Sequence, residues 1–213
     1  MRIEILVFPG VDELDVLGPF EVFRGAEEAG ADIRTQLVSL DGDQHIKASY
    51  GLTFDVDGAV GSDGRADLLV IPGGGWVKRA THGAWAEFHR GLIPAAILDA
   101  HRSGTILASV CTGAMLIAAA GLLRNRSATT HHAAIEELRA SGAEIVSARI
   151  VDDGDIITAG GVTSGIDLAL YIVERFVGKD MADGIASNLE HERRGPIHVS
   201  SSARRSDETR IVS

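Results

Sequence analysis

The chain has 213 residues, of which 45% are hydrophobic and 23% are charged, and its formal net charge is −10 at pH 7. This length suits one domain with a substantial core, and no apolar run approaches the roughly 20 residues that span a bilayer. The excess of acidic residues argues against binding along a nucleic-acid backbone, which requires clustered lysine and arginine side chains.

Neither end of the chain predicts a targeting or membrane segment. The N-terminal stretch MRIEILVFPG has an acid inside a short apolar run and no small-residue cleavage site, so it predicts a strand rather than a signal peptide. We therefore expect a cytoplasmic protein. Residues 191–213 are polar and mix arginines with acids. They predict a solvated tail beyond a single domain at 1–190.

In the first half of the chain, short apolar runs alternate with amphipathic segments. Residues 2–8 predict a strand ended by Pro9-Gly10, and the periodic run 14–29 predicts a helix ended by Gly30. Further strands are predicted at 34–40, 52–56 and 67–71. This alternation is typical of βα units on a mostly parallel sheet.

The second half continues the same pattern. Residues 85–103 predict one long helix, and the buried strand 105–110 leads directly to Cys111. The remaining predicted elements are helices at 113–123, 133–141, 164–177 and 180–189, a strand at 144–147, and a hairpin of 149–152 with 155–158 around Asp153-Gly154. The fold class is therefore α/β, with helices packed on a mostly parallel sheet.

Three segments are expected to meet in one crevice. In open α/β sheets, ligands bind beyond the carboxyl ends of the strands. That rule brings together the loop Gly10–Asp15, the glycines Gly73–Gly75 and Cys111. Candidate apolar walls, by position, are Leu14, Trp76, Val110 and Ile166.

Cys111 is the only cysteine, which excludes an internal disulfide and a multi-cysteine zinc site. It lies between a strand and a helix, as nucleophiles do at the elbow of hydrolases. At the start of a helix the thiolate is stabilised, so we expect the pKa of Cys111 to lie below the roughly 8.5 of a free thiol. The alternative is a small buried side chain that only packs.

The glycines after the strand at 67–71 allow backbone amides to approach a ligand closely. We expect an oxyanion hole formed by the amides of Gly74 and Thr112, with Gly73 beside it. A plain turn is the alternative. A phosphate site is not favoured, because neither G-x-G-x-x-G nor G-x-x-x-x-G-K-[ST] is present in this segment.

Asp15 is the candidate acid. Asp12 and Glu13 fit structural roles at a helix start, whereas Asp15 is flanked by apolar residues. A partly buried carboxyl beside a thiolate should have a raised pKa, which lets it supply a proton to chemistry at sulfur.

The adjacent pair His131-His132 precedes a predicted helix. Residues next to each other on a helix point about 100° apart, so we expect no metal site there. His131 could pair with Cys111, or it could have a capping or core role. The other histidines considered, at 45, 82, 89 and 101, are predicted at the surface.

These residues resemble the DJ-1/PfpI superfamily from about residue 2 to residue 189. The matching stretches are IPGGG (71–75), SVCTGAMLIAAAGLL (109–123), ATTHH (128–132) and TAGGVTSGIDLALYIVE (158–174). The elbow Cys111-Thr112 and the motif Leu14-Asp15…Gly18-Pro19 most resemble the isonitrile hydratase branch. The resemblance implies a flavodoxin-like three-layer α/β/α sandwich, a homodimer, and no cofactor or metal.

The resemblance also implies roles for individual residues: Cys111 as nucleophile, Asp15 as acid/base, Thr112 as a neighbour needed for activity and Gly74 as an oxyanion donor. The expected reaction is the hydration of an isonitrile, a small molecule, to an N-substituted formamide through a Cys111 thioimidate. Two alternatives stay open: another cofactor-free cysteine-dependent activity, such as glyoxalase III-like dismutation, and a non-enzymatic redox sensor.

The chain departs from two other branches of the superfamily. The peptidase-like and amidotransferase-like members usually have a histidine directly after the cysteine, where this chain has Thr112. The transcription regulators append a basic helix-turn-helix domain, and only 23 residues follow position 190. We therefore expect neither a protease nor a DNA-binding protein.

Overall fold

The computed structural model describes residues 1–201 and 203. The strands are β1 (Arg2–Leu6), β2 (Arg34–Ser39), β3 (His45–Lys47), β4 (Thr53–Asp55), β5 (Gly58–Ala59), β6 (Leu68–Ile71), β7 (Ile106–Ser109), β8 (Ser127–Ala128), β9 (Glu144–Ile145), β10 (Ile150–Asp152), β11 (Ile156–Ala159) and β12 (Ile197–Val199). The helices are α1 (Glu13–Glu28), α2 (Ala84–Arg90), α3 (Leu92–Arg102), α4 (Gly113–Ala119), α5 (Ile135–Ala140), α6 (Ser164–Phe176) and α7 (Lys179–Asn188).

Within the described residues, the main sheet has eight strands in the order β12-β10-β11-β7-β6-β1-β2-β5. Every neighbouring pair is parallel except β10 and β11, which form the antiparallel hairpin expected around Asp153-Gly154. The central strands are buried apolar runs, as parallel strands covered on both faces usually are. The predicted α/β class with a mostly parallel sheet is confirmed.

Helices cover both faces of the sheet. One layer contains α1, α6 and α7, which pack against one another, and the other contains α2, α3, α4 and α5. The result is the three-layer flavodoxin-like sandwich, and the core lies between the sheet and each helical layer. Within the described residues, no helix is both long enough and apolar enough to cross a membrane.

The predicted long helix at 85–103 is two helices, which corrects the sequence interpretation. Gly91 ends α2 in the left-handed region with φ of 79°, and α3 begins at the next residue. Pro94 then lies in the first turn of α3, where its missing N–H breaks no hydrogen bond. Apolar periodicity continues through the break, so periodicity alone did not reveal it.

The polar C-terminal segment also differs from its prediction as a solvated tail. Residues Ile197–Val199 form β12, which pairs in parallel with β10 at the edge of the main sheet. Asp167 holds the preceding segment to α6, because its carboxylate accepts hydrogen bonds from the Arg194 amide and from His191. The fold therefore extends past residue 190. The rest of the predicted tail, residue 202 and residues 204–213, lies outside the described residues.

A small hairpin projects beside the start of α1. Its strands are β3, which the sequence interpretation missed, and β4. The Gly10 amide donates to the Lys47 carbonyl, and the Ser49 amide donates to the Val11 carbonyl. These bonds fix the hairpin against the loop that precedes α1, at the carboxyl-end edge of the sheet.

Candidate active site

Cys111 lies at a sharp turn between β7 and α4. Its backbone φ is 56°, in the left-handed region that non-glycine residues rarely adopt. Its amide donates to the Gly160 carbonyl at 2.7 Å, and its carbonyl accepts from the Thr130 hydroxyl at 2.7 Å. These two hydrogen bonds hold the strained residue in place, and the cysteine lines a cavity.

The residue two positions after the cysteine must be glycine. A Cβ on Gly113 would lie 1.9 Å from the Ile71 carbonyl oxygen, a separation that no side chain tolerates. The absence of a side chain therefore lets the start of α4 pack directly on the end of β6. This close contact brings Cys111 next to the glycine loop that follows β6.

Asp15 lies next to Cys111, although its helix comes almost one hundred residues earlier in the chain. The carboxyl is fully buried, and its Oδ2 accepts a hydrogen bond of 2.8 Å from the Gly73 amide. Burial raises the pKa of this carboxyl, and a hydrogen-bonding interaction with the Cys111 thiol offsets a small part of that rise. Oδ1 has no partner of ordinary hydrogen-bond geometry among the described residues.

Burial acts on both acidic groups in the same direction. It raises the pKa of Asp15 well above its usual value, and the nearby charge of Asp12 adds to the effect. The pKa of the Cys111 thiol is raised to about 12. Burial is the largest cause of this rise, and the negative charge of Asp15 is the second. Two adjacent anions are thus disfavoured, and the pair holds at least one proton at neutral pH.

This result corrects the expectation that the pKa of Cys111 lies below 8.5. The Thr112 amide at the start of α4 does act as expected, and together with the Val162 amide in the loop before α6 it acts to lower the pKa. Their effect is smaller than the cost of burying the thiolate beside a carboxylate. The sequence placed the cysteine correctly but could not reveal how little water reaches it, with only 6% of its surface exposed.

Thr112 and the glycines form a compact group beside the pair. The Gly74 amide donates to Thr112 Oγ1 at 3.1 Å. A Cβ on Gly73 would lie 2.4 Å from the same oxygen and 3.1 Å from Asp15 Oδ2, so only glycine fits there. The predicted donor at Gly74 is therefore engaged by the Thr112 hydroxyl, whereas the sequence interpretation had expected the Thr112 amide to act beside it as a second donor. A ligand would have to displace the hydroxyl to receive that bond.

The cavity in front of Cys111 has a volume of about 860 Å³. His131 lines it, and its Nδ1 accepts from the Ala133 amide at 3.2 Å, so this nitrogen is not free to bind the thiol. Burial, with the nearby His132, lowers the pKa of His131. The lowered pKa favours the neutral imidazole, and a neutral ring whose Nδ1 accepts a hydrogen bond carries its proton on Nε2.

The cavity walls differ in part from those expected. Trp76 lines the cavity as predicted, whereas Leu14, Val110 and Ile166 do not. His45 and His82, predicted at the surface, both line it. The sequence carried no signal for His45, because its position depends on the hairpin of β3 and β4. Within the described residues, no group of three or more His, Cys, Asp or Glu side chains is arranged to hold a metal ion.

The architecture and the elbow together define an α/β protein of the flavodoxin-like class with a cysteine at its ligand crevice. The DJ-1/PfpI family model matches residues 1–175. The chain belongs to the DJ-1/PfpI family.

Comparisons with individual proteins agree with this assignment. The chain is 34% identical over 201 residues to an isonitrile hydratase of Pseudomonas putida, covering 92% of this chain and 81% of that protein. It is 32% identical over 180 residues to the helix-turn-helix transcriptional regulator CdhR of Pseudomonas aeruginosa, covering 83% of this chain but 51% of the regulator.

Solved structures give the same fold. The structure is similar to a ThiJ/PfpI family protein from Pseudomonas syringae, with a TM-score of 0.80 and 25% identity over 99% of this chain and 85% of that one. It is also similar to Drosophila melanogaster DJ-1beta, with a TM-score of 0.75 and 23% identity over 90% of this chain and 98% of that one. Because its identity to this chain is low, the similarity to DJ-1beta supports the fold alone.

Proposed function

We propose that the chain is an isonitrile hydratase, which adds water to R–N≡C to form the formamide R–NH–CHO. The observation that carries the proposal is the buried Cys111–Asp15 pair, of which Cys111 lines a cavity. The terminal carbon of an isonitrile accepts both a nucleophile and a proton, which this pair can supply together. The 34% identity to an isonitrile hydratase supports the same reaction.

The first step is addition of the thiol across the terminal carbon. As the Cys111 sulfur forms its bond to that carbon, the proton shared with Asp15 passes to the same carbon. The product is a thioimidate, R–N=CH–S–Cys, and Asp15 is left as a carboxylate. The amides of Val162 and Thr112, which approach the sulfur, favour the thiolate character needed for attack.

The second step is addition of water to the thioimidate. The Asp15 carboxylate accepts one proton of the attacking water and delivers it to the nitrogen, which gives R–NH–CH(OH)–S–Cys. This adduct collapses with cleavage of the C–S bond. The hydroxyl proton returns to the Cys111–Asp15 pair, and the formamide leaves. The carbonyl oxygen and the N–H proton of the product thus come from water.

The raised pKa of Cys111 weighs against the redox-sensor alternative. Sensor cysteines are oxidised as exposed thiolates of low pKa. Cys111 is buried and its pKa is raised to about 12, so little thiolate is present at neutral pH without a substrate to take up the proton.

We also propose that the chain forms a homodimer. Leu14 and Leu17 on α1 and Tyr50 and Leu52 at the tip of the small hairpin are all exposed. Glu13 holds the two elements together, because its carboxylate accepts from the Tyr50 and Leu52 amides. Large apolar side chains exposed on two linked elements are typical of subunit interfaces.

The proposed reaction is tested by assaying the purified protein with cyclohexyl isocyanide and, separately, with methylglyoxal. Formation of N-cyclohexylformamide that is lost in Cys111→Ala supports the hydratase. Lactate formation without any formamide would instead support the glyoxalase III-like alternative. Activity on no isonitrile tested, or formamide formation that survives Cys111→Ala, would contradict the proposal.

A further inference from the structure

Lysine is rare in this chain, and its distribution is uneven. The sequence contains only three lysines, Lys47, Lys78 and Lys179. Lys47 and Lys78 both line the cavity in front of Cys111, although the chain as a whole has a net charge of −10. Most of the positive charge elsewhere is carried by arginine.

The two cavity lysines also differ from the third in their pairing. Lys179 forms a salt bridge with Asp183 one turn further along α7. Neither Lys47 nor Lys78 forms a salt bridge with any carboxylate of the described residues. Their side chains are exposed at the mouth of the cavity, so two cations remain free to meet a ligand.

The backbone at each lysine is fixed. The Lys47 carbonyl accepts from the Gly10 amide at 3.0 Å. Lys78 lies in the loop after β6, where the Ala80 amide donates to the Gly75 carbonyl at 3.0 Å and Arg79 forms two hydrogen bonds to Glu137. The two lysines therefore extend from defined positions on two different walls.

The other charged groups near the cavity are acidic, and most of them already have a partner. Asp12 is the only carboxylate among the lining residues that the structure describes, and burial raises its pKa. Glu13 is occupied by the Ser49 hydroxyl and the Tyr50 amide. Asp55 contacts His45 at 2.8 Å. Lys47 and Lys78 are therefore two exposed cations without a salt-bridge partner at the mouth of a cavity in an acidic protein.

We infer that the natural substrate carries a carboxylate, which Lys47 and Lys78 bind at the mouth while the isonitrile group reaches Cys111. This inference rests on the proposed hydratase function and adds the substrate class. Two unpaired cations at the mouth of a cavity attract an anion and orient it with its charge outward. The opposite end of the molecule then enters towards the buried thiol. The two lysines would not orient a neutral isonitrile in this way.

The test uses two substrates, isocyanoacetate and methyl isocyanoacetate. Both have one methylene between the isonitrile group and the carboxyl carbon, and they differ in charge. We expect the wild-type protein to have the higher kcat/KM for isocyanoacetate. We also expect this preference to shrink as ionic strength rises, because salt screens exposed charges. A preference for the ester at low ionic strength would overturn the inference.

The variants Lys47→Met and Lys78→Met keep the length of the side chain but remove the charge. We expect each to lower the acid-to-ester ratio of kcat/KM by about threefold to tenfold, the range for an ionic contact near the surface. Lys179→Met is the matched control, and we expect it to leave the ratio unchanged. An unchanged ratio in the double variant Lys47→Met/Lys78→Met would overturn the inference.

A binding measurement separates this inference from the hydratase proposal. The probes are N-formylglycinate, the product expected from isocyanoacetate, and its methyl ester, with affinity measured by calorimetry. If the protein turns over neither isonitrile, the hydratase proposal fails. Tighter binding of N-formylglycinate that is lost in the double variant would still support an anion site. Equal binding of acid and ester would overturn it.

Discussion

Asp15 and Asp167 are both buried aspartates, but their surroundings act on their charge in opposite directions. Burial raises the pKa of Asp15, and only the Gly73 amide and the thiol oppose it. Burial also acts to raise the pKa of Asp167, but hydrogen bonds from the Arg194 amide, His191 and Arg149 outweigh it and lower the pKa. One carboxyl destabilises the fold when ionised, and the other stabilises it.

We therefore predict that Asp15→Asn increases the free energy of unfolding at pH 7 while it abolishes formamide production. Asn keeps an oxygen to accept from Gly73 and removes the buried charge, a gain of about 1–2 kcal/mol. Because the folded pKa of Asp15 is raised, its favourable contribution is complete below about pH 4, the usual range for aspartate. That contribution is lost as pH rises through the folded pKa.

Urea unfolding of both proteins between pH 4 and pH 8 tests this prediction, and the stability gain should grow with pH. Asp167→Asn is the matched control and should destabilise the protein at pH 7, because it breaks contacts to Arg149 and His191. A loss of stability in Asp15→Asn at pH 7 would contradict the conclusion that burying the Asp15 carboxyl destabilises the fold.

The reactivity of Cys111 gives a second prediction at the residue scale. Because the pKa of the thiol is raised to about 12, iodoacetamide should alkylate it at pH 8 about tenfold or more slowly than a free cysteine. In Asp15→Asn the rate should rise, because the neighbouring negative charge is removed. Mass spectrometry of the intact protein measures both rates. A wild-type alkylation midpoint below pH 8.5 would be incompatible with the buried pair.

At this scale, sequence reasoning identified Cys111, Asp15 and Thr112 as neighbours, because the carboxyl ends of parallel strands share one edge. It did not find the bond from the Gly74 amide to the Thr112 hydroxyl, or the position of His45. Both depend on side-chain directions that only the packed structure fixes.

At the scale of elements, the crossing of α1 and α6 holds Asp15 in place. A Cβ on Gly18 would lie 3.1 Å from Ile166, and a Cβ on Gly165 would lie 3.2 Å from Pro19 and 3.3 Å from Val110. The glycines let the two helices approach closely. This packing gives a physical reason for the spacing Asp15…Gly18-Pro19, which the sequence interpretation had used only as a motif.

We predict that Gly165→Leu destabilises the protein by about 1–3 kcal/mol, because it overpacks this crossing. It should also lower activity by displacing α1. Gly184→Leu on α7 is the matched control, since a Cβ there meets nothing within 4 Å. The control should be stabilised by up to about 1 kcal/mol through helix propensity. Equal effects of the two changes in thermal unfolding would contradict the proposed close packing.

The elements themselves were predictable to different degrees. The central strands were identified from buried apolar runs, and the hairpin of β10 and β11 from its Asp-Gly turn. The break at Gly91 had local signals in the glycine and in Pro94, but continuous apolar periodicity hid them. The strand Ile197–Val199 is three residues long, and its pairing with β10 is visible only in three dimensions.

At the scale of the whole molecule, the proposed dimer gives a further prediction. We expect the protein to sediment as a dimer, and Leu17→Glu or Tyr50→Glu to shift it towards monomer by placing charge in the apolar surface. Leu92→Glu is the control, because Leu92 is also exposed but lies on α3, in the opposite helical layer. A wild-type monomer at micromolar concentration would contradict the dimer.

The most direct test of the proposed reaction is detection of the covalent intermediate on Cys111. The protein is mixed with cyclohexyl isocyanide, quenched rapidly with borohydride to reduce a thioimidate, digested and analysed by mass spectrometry. We predict that the peptide containing Cys111 carries the mass of the isonitrile plus the added hydrogens, and that Cys111→Ala carries none. Rapid formamide production with an unmodified Cys111 peptide at every quench time would contradict the mechanism.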